Sequence, residues 1–400
     1  MTYLSEAERR FVHEQTVCVL EEVGVGYNSP AAIDLLEEAG AEVDRTRLRA
    51  RLPWGLVERC LKTCPRRVRL VGRVPGADVV LGDGSLTFCT DGTGTCMYDE
   101  VTGVRSEGTA HALRQMMRLF DALPEVDYAW PSISLNCFSK HLQDEVREVA
   151  HVRPLLEIFE AVAGGSLWDR PIFSTINCTI APLQHEREMT EANMRTGAYL
   201  CGAPEVGLIN VICIEMSRFY GLPVTGSAVT SDAKASNLQA GSEGMLTGLA
   251  CVLAGADSML AFGLMDGAET ASLAKVIMDC DVVGMIERFV RQDPIDATTA
   301  LFGDIAKVGV GGHYLGAKST RHFRRAGGLW QPRVFQREPC ESYVGRSLIN
   351  DAAEQARDLL AAHEVPPLAD DVVAEIDRVV EGFALDVGAP ESRVHWRERV

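Results

Sequence analysis

The sequence predicts an α/β fold, because from Val126 onward short apolar or β-branched runs alternate with long helical patterns. Strands followed by helices imply a parallel sheet covered by helices, and both a barrel and a doubly wound sheet satisfy that order. The strand-like runs lie at 128–133, 171–176, 222–226 and 258–262, and the helical ones at 205–220, 238–254 and 272–290. Hydrophobic residues at 46% and charged residues at 24% are the proportions of a folded globular chain. With 400 residues the chain exceeds the size at which single cores stop growing, about 250–300 residues, so more than one core is expected.

The first 124 residues read as a separate α+β module. Ser5 and Glu8 form a capping-box signature ahead of Phe11, Val12, Val19, Leu20 and Val23, and Gly24 can end that helix in a left-handed conformation. Ser29-Pro30 opens a second helix through Ile33, Leu35, Leu36 and Ala39, which Gly40 stops, and Pro53 opens a third. Residues 66–106 alternate and turn like a small β region, with strands at 68–71, 79–81 and 86–88. A helix over 110–123 carries Leu113, Met116, Met117 and Phe120 on one face and leads to Pro124, the expected boundary. The α/β region then runs over 125–330, and a helical extension interrupted by Pro366-Pro367 fills 331–400.

A net charge of −17 disfavours surfaces whose affinity comes from neutralising phosphates, so neither nucleic acid nor an anionic membrane is an expected partner. The first residues, Met1-Thr2-Tyr3-Leu4-Ser5-Glu6, lack a basic stretch followed by an apolar one, and no uncharged apolar run reaches the ~18 residues of a membrane span. The twelve cysteines sit singly on apolar stretches such as Val17-Cys18-Val19-Leu20, where cysteine behaves as a small buried hydrophobe. Neither Cys60 with Cys64 nor Cys89 with Cys96 joins a zinc pattern with histidine, so no metal is expected and a reducing, cytoplasmic setting is.

Several strings, in order from one end of the chain to the other, resemble motifs of the trimethylamine methyltransferase family. They include Leu20-Glu21-Glu22-Val23-Gly24-Val25, Tyr98-Asp99-Glu100-Val101-Thr102-Gly103, Phe120-Asp121-Ala122-Leu123-Pro124, Ala161-Val162-Ala163-Gly164-Gly165 and Met194-Arg195-Thr196-Gly197-Ala198. Tyr220-Gly221-Leu222-Pro223, Ser231-Asp232-Ala233-Lys234, Gln239-Ala240-Gly241 with Glu243, and Gly311-Gly312-His313-Tyr314-Leu315-Gly316 continue the series. The resemblance implies a TIM-type (β/α) barrel, but eight strands typically use ~250 residues and the region 125–330 has about 205, so an incomplete barrel is expected. The family's second strand, between Asn136 and Ala161, and the strand and helix expected between Pro182 and Met194 are not recognisable.

The resemblance also implies a reaction: members without pyrrolysine, like this chain, resemble glycine betaine and other quaternary-amine methyltransferases. The acceptor would be a corrinoid, a cobalamin carried by a separate partner protein, with no cofactor bound by the chain itself. A quaternary ammonium already carries its charge, so its displacement expels a neutral amine without a general acid, and the protein must chiefly desolvate and align. Aromatic faces and carboxylates would hold such a cation.

Tyr128 and Trp130 on the first strand-like run and Phe262 on a later one are the aromatic candidates, although a lone aromatic in a strand more often fills a core. Arg195 and Lys234 could hold a betaine carboxylate. Asp232 and Lys234 lie just beyond the run 222–227, and Asp266 and Glu269 just beyond 258–265, where barrel active sites form; a surface pair or a helix first turn explains them as well. The glycine-rich run Gly311, Gly312, His313 and Tyr314 suits close approach of a corrinoid ring. Two rival readings remain: a barrel lyase using Asp232, Lys234 and His313 as acid and base groups, and a degenerate or regulatory barrel that binds a ligand without turnover. Homo-oligomerisation stays open.

Overall fold

A computed structural model describes residues 2–130 and 200–365, apart from 28, 73–75, 91–93, 292, 326–327 and 343–344, together with 369–371, 374 and 378. Its architecture is mixed α/β. The front begins with α1 (Glu6–Cys18), capped reciprocally by Ser5 and Glu8, and continues as a π-turn over Val19–Val23 before Gly24 at φ 78° reverses the chain. The sequence expectation of one helix to Gly24 therefore holds in extent but changes pitch. A Cβ at Gly24 would stand 2.4 Å from the Ala50 carbonyl oxygen, so only glycine lets this turn close on the next strands.

Those strands are β1 (Val25–Gly26), β2 (Glu42–Asp44) and β3 (Arg49–Arg51), an antiparallel sheet in the order β1-β3-β2, with α2 (Pro30–Glu38) inserted between the first two. Leu20, Ile33, Ala50 and Leu52 make a small core of their own. After α3 (Trp54–Thr63), β4 (Val68–Leu70) and β5 (Val79–Leu81) pair as a hairpin. The next strands are β6 (Thr87–Thr90), β7 (Cys96–Asp99) and β8 (Val104–Glu107), followed by α4 (Ala110–Asp121).

Later in the chain come α5 (Pro204–Phe219), β9 (Thr225–Ser227), α6 (Leu238–Ala254), β10 (Ser258–Ala261), β11 (Leu264–Met265), β12 (Thr270–Ala271) and α7 (Leu273–Val290). Strand β10 is the centre of a parallel sheet in the order β6-β10-β9, and Tyr128 adds a parallel bridge to Cys89 on the far side of β6. All four residues of β6 are buried, as a strand covered on both faces should be. The second sheet, β11-β12-β7-β8, likewise joins strands from before and after residue 125.

These pairings differ from the expected arrangement. Strands 87–90 and 96–99, grouped by sequence with the front module, hydrogen-bond to strands of the later segment, so both sheets cross the expected boundary at 124. Local alternation reveals a strand but not its partner, and the partners here lie some 170 residues away. No closed barrel is formed among the described residues. The strand expected at 171–176 and most of that at 128–133 lie outside those residues.

Helix α5 packs on α6, α6 on α7, and α7 on α11 (Leu348–Ala362), which returns to α4. Three shorter helices, α8 (Ala297–Ala300), α9 (Phe302–Val308) and α10 (Lys318–Arg325), precede it. Met116, Leu119, Phe120, Met259, Val276, Ile277, Val283 and Ile286 belong to the main core. Arg118 closes the α4–α11 contact by donating to the carbonyls of Leu360 and His363 at 2.9 and 2.8 Å, the usual role of a cation at a helix C-terminus. Asp281, buried in α7, accepts the backbone N–H groups of Arg333, Val334 and Phe335 at 2.6–2.9 Å and so fastens the strap before α11. Among the described residues no helix is long and apolar enough to cross a membrane.

Candidate functional site

The C-terminal ends of β9 and β10 point the following loops, 228–236 and 262–269, the same way, because parallel neighbours share direction. The two loops are tied together by backbone bonds, Asp266 N–H to Ala233 O at 3.0 Å and Gly267 N–H to Ser231 O at 3.2 Å. Asp266, Gly267 and Ala268 take φ of 59, 67 and 68°, and Val229 and Phe262 take 60 and 71°. Left-handed backbone is costly for residues with a Cβ, so the surrounding structure must hold these turns.

Beneath them lies a buried ion pair. Lys275, only 2% exposed, donates to both oxygens of Asp279 at 2.6 and 2.7 Å and to the carbonyl of Val229 at 3.3 Å. Asp279 in turn accepts the N–H of Gly263 at 2.7 Å. One pair thus grips the start of each loop. Burial pushes the Asp279 carboxyl up, opposed by the Lys275 charge and the Gly263 N–H.

On the outer side, Asp266 collects two cations, Lys234 and the Arg105 guanidinium of β8, the latter at 3.2 Å, and accepts the Thr270 hydroxyl at 3.2 Å. Arg105 also reaches Glu269 at 3.7 Å. Deeper, Asp232 accepts the N–H of Gly202 at 3.1 Å and faces Glu243, whose carboxylate takes the Ser231 hydroxyl at 2.6 Å and the Asp232 N–H at 2.9 Å. Burial, with a further contribution from Glu243, raises the Asp232 carboxyl above its ordinary range. A Cβ on Gly202 would sit 2.2 Å from a Glu243 oxygen, so glycine permits this close seat. The β7–β8 hairpin reaches over as well, Glu100 accepting from the Ser236 N–H at 3.1 Å and from its hydroxyl.

The expected site residues therefore fall into three groups. Asp232, Lys234, Asp266 and Glu269 gather at the strand ends, and Trp130, 40% exposed, joins the C-terminal end of β6 through its backbone N–H, which donates to Thr90 Oγ1 at 2.7 Å. Two aromatics are engaged within the fold instead, Phe262 buried and Tyr128 half-buried. Phe262 is 1% exposed, so its ring packs in the core and does not face a ligand, while the Tyr128 hydroxyl bonds Ser258 Oγ at 2.9 Å within the sheet. Gly311, Gly312, His313 and Tyr314 form an exposed loop between α9 and α10, and none of the described hydrogen bonds or ion pairs links them to the strand-end residues. Arg195 lies outside the described residues. A depression lined by Phe335, Gln336, Arg346 and Leu348 shares no residue with the cluster.

A sequence model of the trimethylamine methyltransferase family matches residues 1–132 and 172–382. The chain belongs to the trimethylamine methyltransferase family. It is 24% identical to a trimethylamine methyltransferase of Methanosarcina mazei, with 94% of this chain and 93% of that protein aligned. It is 24% identical to a trimethylamine methyltransferase of Desulfitobacterium hafniense, covering 98% and 95%, and 24% identical to a glycine betaine methyltransferase of the same species, covering 96% and 97%. The alignments run over 464 and 476 positions, more than the 400 residues of this chain, so these family members carry segments without a counterpart here.

Arg105, Glu100, Lys275 and Asp279 were not singled out from the sequence. For the last two a signal existed: a lysine and an aspartate four residues apart share one helix face, here in the apolar-rich stretch 273–286, where such a pair can be buried together. For Arg105 none did, since its partners are 161 or more residues away.

Proposed function

We propose that this chain transfers a methyl group from a betaine-type quaternary amine to the Co(I) corrinoid of a partner protein. The observation that carries the reading is the strand-end cluster, in which half-buried carboxylates and exposed cations lie side by side on two interlocked loops of a methyltransferase-family chain. A betaine carries both charges, and the cluster offers a complement to each.

In this reading Asp232 and Glu243 supply negative potential for the ammonium, and the exposed Trp130 ring offers a face to it. Lys234 and Arg105, held in place by Asp266, retain N–H donors to orient the substrate carboxylate. The methyl carbon is attacked from the side opposite nitrogen by the metal electron pair of the acceptor; the C–N bond breaks with its electrons returning to nitrogen, and a tertiary amine leaves, neutral at nitrogen and still bearing its carboxylate. No proton moves, so no residue of the chain has to act as acid or base. The chain's contribution is alignment and exclusion of water.

The test mixes the purified protein with a reduced corrinoid protein and a panel of betaines and follows the absorbance change on methylation of the corrinoid. Methylation with a betaine, weakened by Lys234→Ala chiefly through KM, is the expected result. A folded protein silent with the whole panel would sink the proposal and favour the ligand-binding reading without turnover.

A further inference from the structure

We propose that Glu100, in the turn that follows β7, is a positioning residue of the strand-end site: through Ser236 it fixes the loop that carries Lys234, and so governs affinity for the carboxylate end of a betaine. This rests on the strand-end cluster being where the betaine binds. The stretch 231–236 is held from three sides. Glu243 of α6 takes the Ser231 hydroxyl and the Asp232 N–H, and the second loop donates its Gly267 and Asp266 N–H groups to the carbonyls of Ser231 and Ala233. From the hairpin, the half-buried Glu100 carboxylate accepts the Ser236 N–H at 3.1 Å on one oxygen and the Ser236 hydroxyl on the other. Lys234 lies between the last two of these holds. Its side chain is 73% exposed, so the backbone on either side of it, rather than packing, decides where its ammonium sits. Ser236 Oγ also lies 3.6 Å from the sulfur of Met265, the residue before Asp266, so the hairpin and both loops meet at one hydroxyl.

The same hairpin places the second cation. Arg105 stands on β8, and its guanidinium meets one oxygen of Asp266 at 3.2 Å while Lys234 meets the other. Two cations sharing one carboxylate stand close enough for a second carboxylate to bridge them, and the hairpin sets the place of both, Arg105 directly and Lys234 by way of Ser236. The sign of the effect separates position from charge. Glu100 is itself negative and repels a substrate carboxylate, so by charge alone its removal would tighten betaine binding. If Glu100 acts by holding the loop, its removal loosens Lys234 and weakens that binding.

Calorimetric titration of the full chain tests it, with the tightest-binding member of a betaine panel as one ligand and choline, a quaternary amine without a carboxylate, as the other. Glu100→Ala is expected to raise the betaine Kd about tenfold, the range of a lost hydrogen bond to a charged group, and to leave the choline Kd unchanged. Glu100→Gln keeps one oxygen for Ser236 and is expected to fall between wild type and Glu100→Ala, whereas a role through charge alone would make both variants bind betaine more tightly. Adding Ser236→Ala to Glu100→Ala is expected to change little further, since the two residues act as one unit. Amide exchange in Glu100→Ala is expected to quicken over residues 231–237 and to stay as in wild type over α6, which shows that the fold is intact. A betaine Kd unchanged or lowered in Glu100→Ala would overturn the proposal. So would equal weakening of betaine and choline, or a wild type that binds no betaine. Betaine binding that follows the expected pattern without methyl transfer to a corrinoid protein would uphold the role of Glu100 and sink the methyl-transfer reading instead.

Discussion

Replacing Lys275 by methionine isolates what the buried ion pair contributes. Methionine nearly matches the lysine stem in length and volume, so packing changes little, while the charge and three hydrogen bonds disappear. Asp279 is left with one donor, the Gly263 N–H at 2.7 Å, inside a core where Lys275 had been 2% exposed. Leaving one partner of a buried pair uncompensated costs about 3–5 kcal/mol, a large share of the ~5–15 kcal/mol that holds a domain folded. The deficit must also depend on pH. In the variant the carboxyl pKa rises further above its unfolded value, so the folded state holds the proton more tightly and stability falls as pH rises from about 4 through the raised pKa, by up to 1.4 kcal/mol per unit. Urea denaturation at pH 7 and pH 5 should therefore show a larger gap from wild type at pH 7, and Lys275→Met with Asp279→Leu should recover most of it. A single variant within about 1 kcal/mol of wild type at pH 7, or a gap independent of pH, would refute the reasoning.

Other expectations follow from neighbouring geometry. Asp232→Asn keeps an oxygen for the Gly202 N–H but removes a carboxylate whose pKa is raised in the fold; it should melt slightly higher than wild type at pH 7, by under about 1 kcal/mol, with the gain fading as pH falls toward 4, while methyl transfer drops. Arg333→Ala breaks a two-bond contact with Glu125 at 2.7 and 2.8 Å and should cost about 1–3 kcal/mol, and a double-mutant cycle with Glu125→Gln should show that most of it is shared. Gly284→Ala would place a Cβ 2.5 Å from the Trp330 indole nitrogen, so the strap over α7 must shift; a melting loss equivalent to about 1–3 kcal/mol and faster proteolysis near residue 330 are expected.

Local features were legible from sequence. The Ser5–Glu8 box, Pro30 opening α2, and the limits of α6 at Leu238 and Ala254 were all carried by caps and periodicity that depend on a few adjacent residues. The strand-end location of Asp232 and Asp266 was legible too, since both follow apolar runs that proved to be parallel strands. What sequence concealed were relations over distance: that β6 belongs with β10, that Arg105 serves Asp266, and that Phe262 turns inward. An aromatic at a strand end has no local mark that tells a ligand face from a core contact, and the left-handed φ of 71° at Phe262 sits beside the Gly263 N–H that Asp279, in the second turn of the next helix, accepts.

The pairing of β6 with β10 has a kinetic side. Thr87 and Ser258 must meet before the central strand has neighbours on both edges, and closing so long a loop precedes any reward from the contacts it brings. Until then β10 offers a bare row of amide and carbonyl groups to whatever chain is near. During synthesis the first 130 residues emerge with a buried-type strand and nothing to bury it against. The protein should therefore depend on chaperone protection or low expression temperature, and a fragment ending before residue 258 should be recovered chiefly as aggregate.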